Sequence, residues 1–198
     1  AVWTHEYSKN PAWCLFDLLA NNRYGLGIDK ENIDKESFRV AADYCDEIVN
    51  GEPRFQLDYI VDNEQSSLDV ITSILSTFRG YIVYSGGQLQ LKIDRQNNVV
   101  QSFDMDNIVE NSFSYNKSSR KDRPNKVKVQ YTDPDENWAK VYAQYSDDGN
   151  IKDTGEIREE TISLLGINRA SQAGRMARFY LNKKKYCNTF VQFKAGID

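Results

Sequence analysis

The side chains able to do chemistry are few and scattered. His5 is the sole histidine, and without a fixed partner nearby it makes a weak general base. Acidic residues crowd three places: Asp133, Asp135 and Glu136 in one turn, Asp147, Asp148 and Asp153 in another, and Asp43, Asp46 and Glu47 on a helix. Adjacent carboxylates can hold calcium, but neither turn has the twelve-residue loop with a closing Glu that such sites use. Solvated turns and the wet face of a helix account for them. Cys14, Cys45 and Cys187 lie far apart and form no C-x-x-C pair. They read as reduced, buried thiols, not as a disulfide or a metal site. There is no G-x-S-x-G elbow, H-E-x-x-H pair or phosphate loop. Gly25-Leu26-Gly27 is half of a dinucleotide fingerprint, but it follows a helix where that fingerprint needs a strand. The expectation is a non-enzyme with no catalytic, cofactor-binding or metal-binding residue.

Lys117, Arg120, Lys121, Arg123, Lys126 and Lys128 form the one dense basic run. A nucleic-acid contact would want a basic surface with stacking aromatics between the cations. No aromatic interleaves this loop, and the chain as a whole carries a net charge of −4. The run therefore reads as an exposed loop leading into a strand whose Lys126 and Lys128 alternate outward against Val127 and Val129, open to an acidic neighbour in an assembly. No nucleic-acid partner is expected. Lys183-Lys184-Lys185 closes a helix and suits its dipole. Trp3, Trp13 and Trp138 serve packing, in a core or at an interface.

The elements that position these residues follow from patterning. With 40% hydrophobic and 27% charged residues over 198 positions, the balance is that of a soluble globular chain large enough for a real core. Twelve Tyr against four Pro argue against disorder. No apolar run approaches membrane-spanning length, and no signal segment is present. The chain begins with Ala1, and Val2-Trp3-Thr4 reads as a strand already under way, so an excised piece of a longer polypeptide is expected.

From Asn10 to Gly27 the chain specifies a short helix with both ends marked: Asn10 as cap, Pro11 at the first helical position, and a Gly-rich turn after Asn21-Asn22. Asp34, or Ser37, caps a second helix whose stripe is Phe38, Ala41, Ala42, Cys45, Ile48 and Val49, stopped by Asn50-Gly51 and Pro53. The two make a helical hairpin over 1–52. Phe55, Leu57, Tyr59 and Val61 alternate as a strand. Ser66 or Ser67 caps a third helix with Ile71, Ile74, Leu75 and Phe78 inside, closed by Arg79-Gly80. Tyr81 to Tyr84 and Leu89 to Ile93 form a hairpin around Ser85-Gly86-Gly87-Gln88. This makes a β-α-β-β lobe over 53–110, with a short strand at 99–103 and one turn of helix at 105–109. Strands over 113–115, 127–131, 138–145 and 157–164, a tip loop at 147–150, a long helix capped by Asn168, and a return strand at 187–194 make a strand-rich lobe over 111–198. The fold class is α+β, with mixed or antiparallel sheets and flanking helices.

Two stretches carry a family resemblance. Asn10-Pro11-Ala12-Trp13 with Leu18-Leu19 and Arg23-Tyr24-Gly25-Leu26-Gly27 resembles the "NPAW…LL…RYGLG" segment of the tail tip attachment proteins of lambda-type long-tailed phages, the host-specificity protein J family. Asp122-Arg123-Pro124-Asn125-Lys126-Val127-Lys128-Val129-Gln130-Tyr131-Thr132-Asp133-Pro134, followed by Asn137-Trp138, is similar to that family's "DR.N.V.V.W.DP" segment. Tyr131 and Thr132 stand where the family carries Trp and an aliphatic residue, a conservative departure for a strand. The resemblance covers nearly the whole chain. It implies a structural component of a phage or prophage tail tip, the central hub of a non-contractile tail, similar in architecture to contractile baseplate hubs. It implies a homotrimer that closes the tube, joins tube and distal tail proteins on one side, and carries a host-recognising fibre on the other. The second half would be the tube-like β-domain. The location implied is the virion tail tip, with assembly in the host cytoplasm. A tail-associated cell-wall hydrolase and a carbohydrate-binding receptor module are the alternatives. The piece alone is expected to be a monomer or to associate weakly, because ring closure needs the missing flanks.

Overall fold

The computed structural model describes residues 6–119, 121 and 123–196. The expectations for His5, for Trp3 and the strand at Val2-Trp3-Thr4, and for Arg120 and Asp122 lie outside the described residues.

Helix α1 (Pro11–Ala20) starts as its sequence dictates: the Asn10 side-chain oxygen accepts from the Ala12 N–H at 3.0 Å. The same amide donates to the Ala42 carbonyl at 2.9 Å, so a buried cap also ties α1 to helix α2 (Lys35–Asp46). Asp34 caps α2, and Phe38, Ala41, Ala42 and Cys45 are its buried stripe. The stripe stops there. Ile48 and Val49, expected to continue it, form strand β1 (Ile48–Val49), paired antiparallel with β2 (Glu52–Pro53). Asn50 and Gly51 both have positive φ, so they make a tight hairpin turn instead of only ending a helix.

Ser66 caps α3 (Ser67–Phe78), which buries Val70, Ile71, Ile74, Thr77 and Phe78. β3 (Gly80–Ser85) and β4 (Gln88–Ile93) pair antiparallel across Gly86-Gly87, as the sequence implies. The approach to α2 joins them through an Ile33–Leu89 bridge and an Asp34 N–H to Leu89 carbonyl bond of 2.9 Å.

The strand expected over Phe55–Val61 is not a strand, which corrects the β-α-β-β reading. The N–H groups of its first four residues are satisfied singly by unrelated partners. Phe55 donates to the Cys45 carbonyl, Leu57 to the Lys9 carbonyl and Asp58 to the Gly166 carbonyl. Gln56 donates to the Gln172 side chain. Alternating burial can arise from an extended segment threaded between elements as well as from a ladder.

The remaining strands are β5 (Ser114–Lys117), β6 (Lys126–Asp133), β7 (Ala139–Ser146), β8 (Glu159–Ser163) and β9 (Thr189–Gln192). β5 and β9 form an antiparallel ribbon; β7, β6 and β8 form a sheet in that order. Val127, Val129 and Tyr131 of the central strand are buried in alternation. The expected strand at 99–103 is absent, and 105–109 is a turn ending in an Ile108–Ala195 bridge instead of helix. The expected tip loop at Asp147–Asn150 is the start of helix α4 (Asp148–Thr154), capped by Asp147. The long helix α5 (Ala170–Tyr186) buries Ala173, Met176, Ala177 and Leu181. Its first turn closes from the Ala173 N–H to the Arg169 carbonyl, which puts Arg169 and not Asn168 at the cap.

The class is therefore α+β, with small antiparallel sheets and flanking helices. The chain divides into two compact units, interleaved in sequence: Ala1–Arg95, Gln130–Val141 and Ser163–Ala173 in one; Gln96–Val129, Tyr142–Ile162 and Gly174–Asp198 in the other. The first unit's core is built on Leu15, Leu19, Ile33, Phe38, Phe78, Leu91 and Ile167. The second's is built on Val127, Val129, Met176, Ala177 and Leu181.

Candidate functional site

The turn that follows α1 is a preorganised display. Gly25 and Gly27 both donate to the Asn21 carbonyl at 3.1 Å, Leu26 to Leu18 and Ile28 to Leu19, each at 2.9 Å. The Asn21 side chain accepts from the Arg23 N–H at 2.9 Å, and the Tyr24 hydroxyl bonds Asp17. Arg23, Tyr24 and Leu26 are left facing solvent. Before the turn, Trp13 and Phe16 are half-buried, with Phe16 edge-on to Phe38 at 5.4 Å between centroids.

The second motif is a polar knot beneath a strand. Asn125, 2% exposed, receives the Arg158 N–H on its side-chain oxygen at 2.7 Å. Its amide donates to Asn150 at 3.1 Å and to the Glu156 carbonyl at 2.8 Å. Arg158 in turn reaches the Arg123 carbonyl and the Asn150 side chain. These contacts bring the start of β6, helix α4 and the approach to β8 to one buried amide. Its full satisfaction is what allows a polar group to be buried there.

Two residues of the basic run find an acid within the same unit. Lys126 and Lys128 do lie on the outer face of β6, and both grip Glu159 of β8, at 3.2 and 2.7 Å. The two ammonium groups, Lys128 foremost, hold the Glu159 carboxyl below its usual range. Lys184 pairs with Glu160 and Lys185 with Asp147.

At least one acid of each acidic cluster is likewise employed locally. Asp133 accepts from the Tyr131 hydroxyl and from the Asp135 N–H. Asp147 caps α4, and Asp43 pairs with Arg39. Among the described residues no three His, Cys, Asp or Glu side chains converge so as to hold a metal ion. Of the three thiols expected to be buried, Cys45 is buried, Cys14 is half-buried, and Cys187 is exposed. Cys187 follows the last turn of α5, past the helix's apolar stripe. Burial pushes the Cys14 and Cys45 thiols up.

Two clusters were not read from the sequence. One is Gln172, buried on the first turn of α5 and bonded to Gln56, Thr77 and Arg169. The other is Tyr44. The Arg54 and Arg95 guanidinium carbons stand 4.5 and 4.8 Å from its ring centroid, and Arg79 donates to its hydroxyl at 2.8 Å. Arg79, read as a cation at the end of α3, is its left-handed cap with the side chain turned onto Tyr44. No local spacing marks either cluster, because each draws on elements far apart in the chain.

Residues 66–198 match the family described as "Putative phage tail protein". The chain belongs to this family. Over 97% of its length it is 31% identical to the tip attachment protein J of Escherichia phage SECphi27. Over its whole length it is 25% identical to that of Escherichia phage SECphi4. It spans only 16% and 18% of those two proteins. Its fold is similar to that of a chain in the virion of a native gene transfer agent particle. That match has a TM-score of 0.56 at 12% identity and covers 77% of this chain and 34% of the other. The phage-tail family match opens at the Ser66 cap of α3 and contains the whole Asn125 knot. The Asn10–Gly27 segment lies outside it but inside the similarity to the tip attachment proteins.

Proposed function

We propose that this phage tail protein chain is a structural, non-catalytic module of a tail-tip hub. In the complete protein it sits in a homotrimer, contacts tube and distal tail proteins on one side, and is continuous with host-recognising fibre on the other. It is assembled in the host cytoplasm. The observation that carries this reading is the 31% identity to a tip attachment protein along 97% of the chain. The chemistry of both motifs supports it. Asn10, Asn125, Arg158 and Gln172 are held by bonds that fasten one element to another, which is what a load-transmitting part requires.

The test is to delete residues 6–196 in frame from the complete tail-tip gene and image the particles. Tails that are missing or blunt, with no adsorption, are expected. Normal, infectious tails would overturn the reading. Averaged images of the intact tip should show threefold symmetry at the hub. Release of soluble fragments from peptidoglycan by the purified chain would refute the non-catalytic part.

A further inference from the structure

We propose that the turn between β6 and β7 is a docking anchor, with Trp138 stacking on the arginine side chains of a basic segment from another polypeptide. Trp138 is 64% exposed, and among the described residues no ring, cation or hydrogen bond engages its indole. Asn137 and Trp138 have φ of 53° and 60°, and the Ala139 N–H closes the turn on the Glu136 carbonyl at 3.0 Å. In a turn of this shape the second position belongs to glycine, and a bulky residue there is strained. The indole thus stands largely in solvent on a backbone unsuited to it, with no ring, cation or hydrogen-bond partner among the described residues.

What surrounds it selects the partner. Asp135 and Glu136 are exposed, and among the described residues their carboxylates make no ion pair; Asp133 lies just before them. A guanidinium over an indole face, with carboxylates at its edge, gains from cation–π attraction and from charge pairing together. The same negative field repels phosphate-bearing glycans and lipids. Of the chain's own cations, Lys126, Lys128, Lys184 and Lys185 are already held by Glu159, Glu160 and Asp147, whereas Arg23 is exposed, so pairing with a second copy is the outcome that concentrating the chain alone would reveal. The occupant proposed is a different, arginine-bearing protein, whatever the role of the chain in a tail.

The probe is triarginine amide, titrated into the isotope-labelled chain while the Trp138 indole N–H is followed by NMR. A saturable shift of that signal and of the 135–138 amides is expected. Apparent affinity should fall about fivefold or more in D135N/E136Q and in about 0.5 M salt. Trp138→Gly suits the turn better, so it should stay folded and lose the binding. The proposal fails if the Trp138 signal does not move, if the acidic face around Glu36 and Asp43 responds equally, or if the double variant binds as well. It also fails if a neutral oligosaccharide moves the signal where triarginine does not, or if concentrating the chain alone reproduces the shift.

Discussion

Gln172 grips Gln56 with both ends of its amide: the side-chain oxygen accepts from the Gln56 N–H at 3.0 Å, and the nitrogen donates to the Gln56 carbonyl at 3.1 Å. One side chain thereby supplies the pair of bonds that a neighbouring strand would have given. The amide nitrogen also reaches the Thr77 carbonyl, and Arg169 donates to the amide oxygen at 2.6 Å. Gln172→Leu keeps the volume and strands the Gln56 N–H. It also removes the donor from the Gln56 and Thr77 carbonyls. A loss of about 2–4 kcal/mol is expected, measured as a lowered denaturant midpoint at constant slope. Gln172→Glu retains the acceptor and sets a carboxylate against two carbonyls. Arg169 and the Gln56 N–H still face the retained oxygen, so Gln172→Glu should lose less stability than Gln172→Leu. A loss as large as that of Gln172→Leu would refute this.

Asn125 offers a sharper substitution. Asn125→Asp changes one nitrogen to oxygen and turns two donated bonds, to Asn150 and the Glu156 carbonyl, into acceptor-against-acceptor contacts. The expected cost is about 2–3 kcal/mol. Hydrogen exchange should show the loss in α4 and at the start of β6, the elements this amide joins. Loss of protection confined to the α1 turn instead would contradict the role assigned to the knot.

What could be read from the sequence was whatever is encoded within a few residues. The Asn10, Asp34 and Ser66 caps, the Gly86-Gly87 hairpin and the alternation of Val127, Val129 and Tyr131 are all of that kind. The failures share a cause. Phe55–Val61 has the period of a strand, but Lys9, Gly166 and Gln172 are its partners, and nothing near it in sequence points to them. Asp147 looks like a loop acid, and only its bond to the Asn150 N–H makes it a cap. At the candidate site the Asn125 segment stood out by resemblance. Its role depends on Asn150, Glu156 and Arg158, some 25 to 33 positions downstream, beyond the reach of any periodicity.

The glycines separate space from backbone freedom. A Cβ on Gly25 would stand 2.1 Å from the Leu18 carbonyl oxygen and 2.8 Å from that of Asn21. Both are fixed by the turn that displays Arg23, Tyr24 and Leu26. Gly25→Ala should cost about 1–3 kcal/mol. Gly174, inside α5, has nothing within 4 Å of the same atom, so Gly174→Ala should stabilise by about 0.5–1 kcal/mol. Thermal melts of the two variants should move in opposite directions. Equal shifts would show that the α1 turn yields more readily than its backbone bonds indicate.

Tyr131 makes the fold sensitive to alkali. It is 6% exposed, with its hydroxyl donating to Asp133 at 2.9 Å. Burial first, and the Asp133 bond second, push its ionisation up to about 12. In the unfolded chain a tyrosine ionises near 10. The folded state therefore holds the proton more tightly. That contribution is present in full below about pH 10 and is lost as pH rises through 10 towards 12. Tyr131→Phe keeps the ring and removes the titrating group. It should cost about 0.5–1.5 kcal/mol at neutral pH and flatten the decline in stability between about pH 10 and 12. Denaturant midpoints of the two proteins across that range decide the matter: parallel curves would mean that Tyr131 ionises as freely in the fold as outside it.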